Sequence, residues 1–182
     1  MAQDAEAAQA AGKRLTHRHA EILQTEEKFK EDLQSLMSSL QEISQEKAWH
    51  LNPEQVKLLD RTCPVIREIA GSHDKLCEAM KGKLQELDLK AVLESLEPEL
   101  VGSHAQFRTL STCIMVILQK KAGGEVVGDR TVGSSPKMEG SLGEQLTTVM
   151  DLLVRPTRRL LQYQLFLEEM GKDAAQAGEG EG

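Results

Sequence analysis

Apolar side chains recur at alternating spacings of three and four residues along most of this chain, which is the pattern of amphipathic α-helices. From Leu15 to Ile43, seven of the nine positions in this stripe are apolar, and His19 and Glu26 are the exceptions. The residues between these positions are almost all polar. The stripe predicts a helix of about eight turns that packs in a bundle.

A second helix is predicted to begin at Asn52. Asn52 is a favourable N-cap, Pro53 suits the first helical position, and Gln55 stands where the partner of a capping box belongs. Pro64 lies within this helix and predicts a kink or a break, because proline removes a backbone donor. The two cysteines of the stripe are predicted to pack in the core. The stripe positions are Val56, Leu59, Cys63, Ile66, Ala70, His73, Cys77, Met80, Leu84 and Leu87.

The rest of the chain also has helical periodicity. Residues 89–96 predict a short segment that ends at Pro98, and residues 103–121 predict a third long helix. The last helix is predicted to start at the capping box formed by Ser141 and Glu144. No strand pattern is present, so the predicted fold class is all-α.

Composition divides the chain into one helical domain with flexible additions. Six of the 14 glycines lie between residues 123 and 143, which predicts a flexible loop over residues 122–141. Residues 1–13 are predicted to be a disordered N-terminal segment, and residues 173–182 a disordered tail of Gly, Ala and acidic residues. The helical domain is therefore expected to span residues 14–172.

Charge and composition exclude several classes of protein. The chain has 29 acidic and 22 basic residues, a net charge of −7 and only 3 % aromatic residues, so nucleic-acid binding is not expected. Three cysteines without a C-x-x-C spacing argue against a disulfide framework and a zinc site. No apolar run is long enough for a membrane segment, and residues 1–12 lack the apolar run of a signal peptide, so a cytoplasmic location is expected. The sequence leaves the oligomeric state open.

The motifs of covalent catalysis are missing from the sequence. The spacing Gly123-x-x-x-x-Gly128 is that of a phosphate-binding loop, but Asp129 and Arg130 stand where Lys and Ser or Thr are needed. His17 and His19 point about 200° apart on a helix and cannot share a metal ion. We therefore expect no cofactor, no metal and no covalent chemistry.

A basic cluster in the last helix is unusual for an acidic chain. Arg155, Arg158 and Gln162 lie three to four residues apart and share one face, and Arg159 lies on a neighbouring face. The cluster is either a solvated face or a contact surface for an acidic partner.

Two segments of the chain resemble the Dbl homology domain of exchange factors for Rho-family GTPases. The first, Ala20-Glu-Ile-Leu-Gln-Thr-Glu-Glu-Lys-Phe-Lys-Glu-Asp-Leu33, is similar to the opening E-L-L-x-T-E-x-x-Y-V-x-x-L pattern of that family. The second, Leu152-Leu-Val-Arg-Pro-Thr-Arg-Arg-Leu-Leu-Gln-Tyr-Gln-Leu-Phe-Leu-Glu-Glu-Met170, is similar to the L-x-K-P-x-Q-R-x-x-K-Y-x-L-L-L-x-E-L block. Between them, Leu51-Asn-Pro-Glu-Gln-Val-Lys-Leu-Leu resembles the start of the family's second helical segment.

The resemblance implies an elongated antiparallel helical bundle that promotes GDP release from a Rho-family GTPase. Members of the family dock their first and last conserved helices on the two switch segments of the GTPase and do not make or break covalent bonds. Glu21 matches the acidic residue that engages the first switch, and Thr25 lies on the same polar face. Arg159 and Tyr163 match the family's Arg and Tyr, and the implied GTPase-binding residues are Glu21, Thr25, Arg155, Arg158, Arg159 and Gln162.

The chain also departs from the family pattern. Arg158 replaces the usual Gln, and Gln162 replaces a Lys that commonly contacts the GTPase. After the second block the chain continues as Gly-Lys-Asp-Ala-Ala, where members of the family continue into one more long helix. The alternative interpretation is therefore a non-catalytic helical interaction module, or an inactive truncated domain of this type.

Overall fold

The described residues of the computed structural model are 2–82, 89–122, 126–127, 130–131 and 141–178. A short 3-10 helix, Lys47–Trp49, lies between the first two long helices. Two strands of two residues each, β1 (Val126–Val127) and β2 (Arg130–Thr131), pair antiparallel inside the predicted loop. The four long helices are α1 (Ala2–Gln45), α2 (Pro53–Gly82), α3 (Leu89–Lys121) and α4 (Ser141–Gly178).

Neighbouring helices of the bundle run in opposite directions. Arg18 near the start of α1 pairs with Glu169 late in α4, whereas Asp32 farther along α1 pairs with Arg155 earlier in α4. The polar contacts between α1 and α2 and between α2 and α3 run in opposite order in the same way. At 1.5 Å per residue, α1 is about 66 Å long. The predicted all-α fold and the elongated antiparallel bundle are confirmed.

The apolar stripes of the helices meet in two separate clusters. The larger cluster contains the only tryptophan, whose Nε1 donates to Oε1 of Gln145 at 2.9 Å. Its buried members are Phe29, Leu33, Leu36, Leu40, Ile43, Trp49, Leu59, Val65, Ile66, Ile69, Phe107, Ile114, Leu118, Ala122, Leu146, Val149, Leu152 and Leu153. The buried members of the smaller cluster are Ile22, Leu76, Met80, Leu93, Leu100 and Tyr163.

The predicted start of α2 is confirmed in atomic detail. The backbone N–H of Gln55 donates to Oδ1 of Asn52 at 2.9 Å, and the backbone N–H of Asn52 donates to Oε1 of Gln55 at 3.0 Å. Two of the donors that a helix start leaves without partners are satisfied in this reciprocal way. Cys63 and Cys77 are buried and free, as predicted for core residues, whereas Cys113 is exposed.

Two helices are longer than the sequence analysis predicted. Helix α1 already includes Ala2, where we predicted a disordered segment over residues 1–13, because this stretch is rich in Ala, Gln and Glu, which favour helix. Helix α3 continues through Pro98 instead of ending there, and α2 continues through Pro64. Leu93 and Leu100 are buried on either side of Pro98, so packing outweighs the cost of about 3 kcal/mol of a proline within a helix.

Several predictions fall partly outside the described residues. Most of the predicted loop over residues 122–141 lies there, and so do the end of the second stripe at Leu84 and Leu87 and the last four residues of the predicted tail. The beginning of that tail is helical, because α4 extends to Gly178.

Candidate functional site

A groove between α1 and α4 brings together most of the residues of the predicted contact face. It has a volume of 290 Å³ and is open to solvent. Of the six predicted site residues, all but Glu21 line it, and Glu21 is exposed on α1 one turn before Thr25. The lining residues are Thr25, Lys28, Phe29, Asp32, Asp151, Arg155, Arg158, Arg159 and Gln162.

Arg155 lies between two carboxylates at the side of this groove. Its Nη1 is 2.5 Å from Oδ1 of Asp32 on α1, and its Nη2 is 2.5 Å from Oδ2 of Asp151 on α4. The hydrogen bonds to these two carboxylates raise the pKa of Arg155 above its ordinary value. Arg155 therefore joins the two helices, and the charge of its guanidinium is offset before any partner arrives.

Arg159 is an interior residue, unlike its neighbour Arg158, which is exposed. We predicted both on the contact face, but the Arg159 side chain is only 4 % exposed. Its guanidinium lies 5.1 Å from the ring centre of Tyr163, a distance typical of a cation–π contact. The reason for its burial is an acidic partner inside the bundle.

That partner is Glu26, a completely buried carboxylate of α1. Its Oε1 accepts from Nε of Arg159 at 2.8 Å and from the hydroxyl of Tyr163, and its Oε2 lies 2.6 Å from Nδ1 of His73. Burial by itself raises the pKa of Glu26, but His73, Arg159 and Tyr163 together hold it below the ordinary value. Glu26 is therefore a carboxylate inside the core, with partners from α2 and α4.

His73 extends this arrangement to α3. Its Nε2 lies 3.2 Å from Nε2 of His104, whose Nδ1 donates to the carbonyl oxygen of Pro156 at 2.9 Å. Burial, together with the neighbouring His73, lowers the pKa of His104 to about 4. Burial and the Glu26 carboxylate raise the pKa of Tyr163, so its hydroxyl keeps its proton. We call Glu26, His73, His104, Arg159 and Tyr163 the polar layer.

Sequence reasoning did not find the polar layer as a unit. Glu26 and His73 stood out only as polar positions in apolar stripes, and the histidines looked scattered along the chain. Polar residues on a core-facing stripe were the available signal, because a buried polar side chain needs a partner.

Metal-binding clusters and membrane-spanning helices are both absent from the described residues. Among these residues, no three His, Cys, Asp or Glu side chains lie close enough to hold a metal ion. Among the described helices, none is both long and apolar enough to cross a bilayer.

Comparison with known families gives the groove its context. The sequence model of the RhoGEF domain matches residues 19–179. The chain belongs to the RhoGEF family. Members of this family are exchange factors for Rho-family GTPases and not covalent catalysts. No curated protein and no solved structure matched the chain.

The RhoGEF match covers all the residues that form the groove and the polar layer. It begins two residues before Glu21 and ends one residue beyond α4. At the level of the family, a RhoGEF domain has a Rho-family GTPase as its partner. Both segments on which the resemblance was based, residues 20–33 and 152–170, lie within the matched range.

Proposed function

We propose that this RhoGEF domain accelerates the release of GDP from a Rho-family GTPase, and that the groove between α1 and α4 is where the GTPase docks. The observation that carries the proposal is that a match to the RhoGEF family coincides with a solvent-open groove between α1 and α4, the helices that contain the two family-like segments. A cytoplasmic location is part of the same proposal.

The proposed action is a matter of linked binding equilibria. A GTPase that binds the domain more tightly without nucleotide than with GDP must release GDP more readily when it is bound, because the coupling free energy is reciprocal. A thousandfold weakening of GDP binding requires about 4 kcal/mol of coupling. One protein–protein interface can supply this amount, and no bond has to be made or broken.

The chemistry of the groove suits a polar partner surface. Gln162 stands where the family commonly has Lys, and its Oε1 accepts from Nη1 of Arg159 at 2.8 Å. The amide nitrogen of Gln162 is thereby left to donate to a partner. Lys28 and Arg158 add exposed positive charges to the groove lining, and Glu21 adds an exposed negative charge one turn away.

Replacing Glu21 tests the proposal directly. We expect the wild-type chain to accelerate the release of a fluorescent GDP analogue from at least one member of a panel of Rho-family GTPases. Glu21→Ala should reduce this acceleration about tenfold or more, because it removes a charged hydrogen-bonding group from the interface. The melting temperature, followed by circular dichroism, should hardly change because the side chain is exposed.

Glu42→Ala is the matched control for this experiment. Glu42 is an exposed glutamate on the same helix, about six turns beyond Glu21, and it does not line the groove. The control should exchange nucleotide at the wild-type rate. Equal rates for wild type and Glu21→Ala would remove Glu21 from the site, and no acceleration of any GTPase by the folded wild type would contradict the proposed function.

A second candidate function is a helical interaction module that binds a partner without exchanging nucleotide. The specific observation in its favour is that Leu161 and Leu165, one turn apart on α4, are 62 % and 61 % exposed. Neighbouring exposed leucines on a helix are typical of a contact surface. GTPase binding in a pull-down together with unchanged GDP release would favour this function over exchange.

A further inference from the structure

The polar layer lies between the two apolar clusters and separates them within the core of the bundle. On α1, Glu26 lies between Ile22 of the smaller cluster and Phe29 of the larger one, and His73 lies between Leu76 and Ile69 in the same way on α2. All four long helices contribute to the layer. Buried charges are costly, so a layer of this kind needs its own explanation.

A chain of polar contacts joins the backbone of α4 to the carboxylate of Glu26. The carbonyl oxygen of Pro156 can only accept, so Nδ1 of His104 carries a hydrogen. Burial lowers the pKa of His104 to about 4, and its Nε2 lies 3.2 Å from Nε2 of His73. Nδ1 of His73 lies 2.6 Å from Oε2 of Glu26 and 2.9 Å from the hydroxyl of Tyr163, which donates to Oε1 of Glu26. The polar contacts therefore continue from the Pro156 carbonyl to the Glu26 carboxylate.

At its other end the layer reaches the groove through Arg159. Nε of Arg159 donates to Oε1 of Glu26 at 2.8 Å, and Nη2 also contacts this oxygen. The same guanidinium donates from Nη1 to Oε1 of Gln162 at 2.8 Å and from Nη2 to Oγ1 of Thr25 at 3.0 Å. A guanidinium is planar and rigid, so a carboxylate that holds one edge also fixes the directions of the remaining donors.

We propose that Glu26 is a positioning residue for the groove, which acts through Arg159 to fix the side chains of Gln162 and Thr25. The Gln162 carbonyl is held toward Arg159, and its NH₂ group is thereby presented to the groove. His73 and Tyr163 hold the carboxylate from the other side. The assignment concerns geometry within the chain, and its effect on a GTPase rests on the proposed function.

The spectroscopic signature of this role is the mobility of one side-chain amide. In a ¹⁵N-labelled sample of the full chain, the NH₂ group of Gln162 should be as rigid as the helix backbone on the nanosecond timescale, measured by its heteronuclear NOE. The NH₂ group of Gln106, which is exposed on α3, serves as the flexible reference. Glu26→Gln should make the NH₂ group of Gln162 as mobile as that of Gln106, and Glu42→Gln should leave it rigid.

Two outcomes would overturn the proposal. The first is a wild-type protein in which the NH₂ group of Gln162 is already as mobile as that of Gln106. This outcome needs no variant. The other is a folded Glu26→Gln protein in which the NH₂ group of Gln162 remains rigid. If Glu26→Gln does not fold, Arg159→Lys keeps a positive charge beside Glu26 but removes the planar group that holds Gln162, and a rigid amide in that folded variant likewise contradicts the proposal.

A double-mutant cycle carries the test into GTPase binding. Gln162→Ala should weaken binding up to about tenfold, as expected for one lost hydrogen bond. If Glu26 acts through Gln162, the double variant Glu26→Gln/Gln162→Ala should bind less than about twofold more weakly than Glu26→Gln alone. Multiplied effects contradict the positioning role. A wild type that binds no GTPase, but shows a rigid Gln162, would contradict only the proposed function.

Discussion

Neighbouring residues of the same type differ sharply in burial in this domain. Glu21 and Glu26 lie five residues apart on α1, yet the first is exposed and the second is completely buried. Arg158 and Arg159 differ in the same way on α4. Whether a side chain is available to a partner or belongs to the interior depends on its burial. Proximity in the sequence does not indicate which of the two applies.

At the residue scale, His104 predicts that the domain loses stability in acid. Its pKa is about 4 in the folded protein and near 6.5 in an unfolded chain, so the unfolded state binds the proton more readily. The free energy of unfolding should therefore fall by about 3 kcal/mol as the pH drops from 6.5 to 4. Glu26 acts in the same direction because its pKa is also lowered on folding. Urea unfolding at several pH values measures the slope.

His104→Asn is the control for the acid effect. The asparagine amide can still donate to the Pro156 carbonyl but does not titrate in this range. The pH dependence of the free energy of unfolding should be clearly smaller in this variant. A slope equal to that of the wild type would show that other groups cause the acid lability.

At the element scale, the ends of helices were predictable where the signal is local. The capping box at Asn52 and Gln55 depends only on residues three positions apart, and its two hydrogen bonds formed as predicted. The end of the short segment before Pro98 was wrong, because packing of Leu93 and Leu100 against other helices decides the outcome there. Local rules yield to tertiary contacts when the two conflict.

Removing the cap of α2 should cost a measurable part of the stability. Asn52→Ala leaves the backbone N–H of Gln55 without its side-chain acceptor, and we expect a loss of about 1 kcal/mol in the free energy of unfolding. Asn52→Asp keeps an acceptor oxygen and should lie close to the wild type. Chemical unfolding of both variants measures the difference, and equal stabilities for Ala and Asp would mean that the cap contributes nothing.

At the scale of the whole molecule, the helical stripes were predictable but their partners were not. Periodicity identifies which face of a helix is buried, so the all-α class and most core positions followed from the sequence. It does not reveal which stripe positions of different helices meet. Glu26 and Arg159 are 133 residues apart along the chain, and no local pattern joins them.

The polar layer should be more costly to break than to replace. Arg159→Met leaves the buried Glu26 carboxylate without its guanidinium, and we expect a loss of about 3–5 kcal/mol in the free energy of unfolding. Glu26→Met/Arg159→Met removes the uncompensated charge as well and should be more stable than Arg159→Met alone. Urea denaturation compares Arg159→Met, Glu26→Met and the double variant, and a double variant whose loss equals the sum of the two single losses would contradict this account.

The division of the core by the polar layer makes the two ends of the domain unequal as folding units. Among the described residues, most buried apolar side chains belong to the larger cluster, and few belong to the smaller one at the Ile22 end of the bundle. The free energy of local opening follows the apolar contacts that opening breaks. We therefore expect the Ile22 end, next to Glu21, to open at the lower free-energy cost. The surface proposed to meet the GTPase therefore spans the boundary between a part of the fold that opens readily and a part that opens only at a higher free-energy cost.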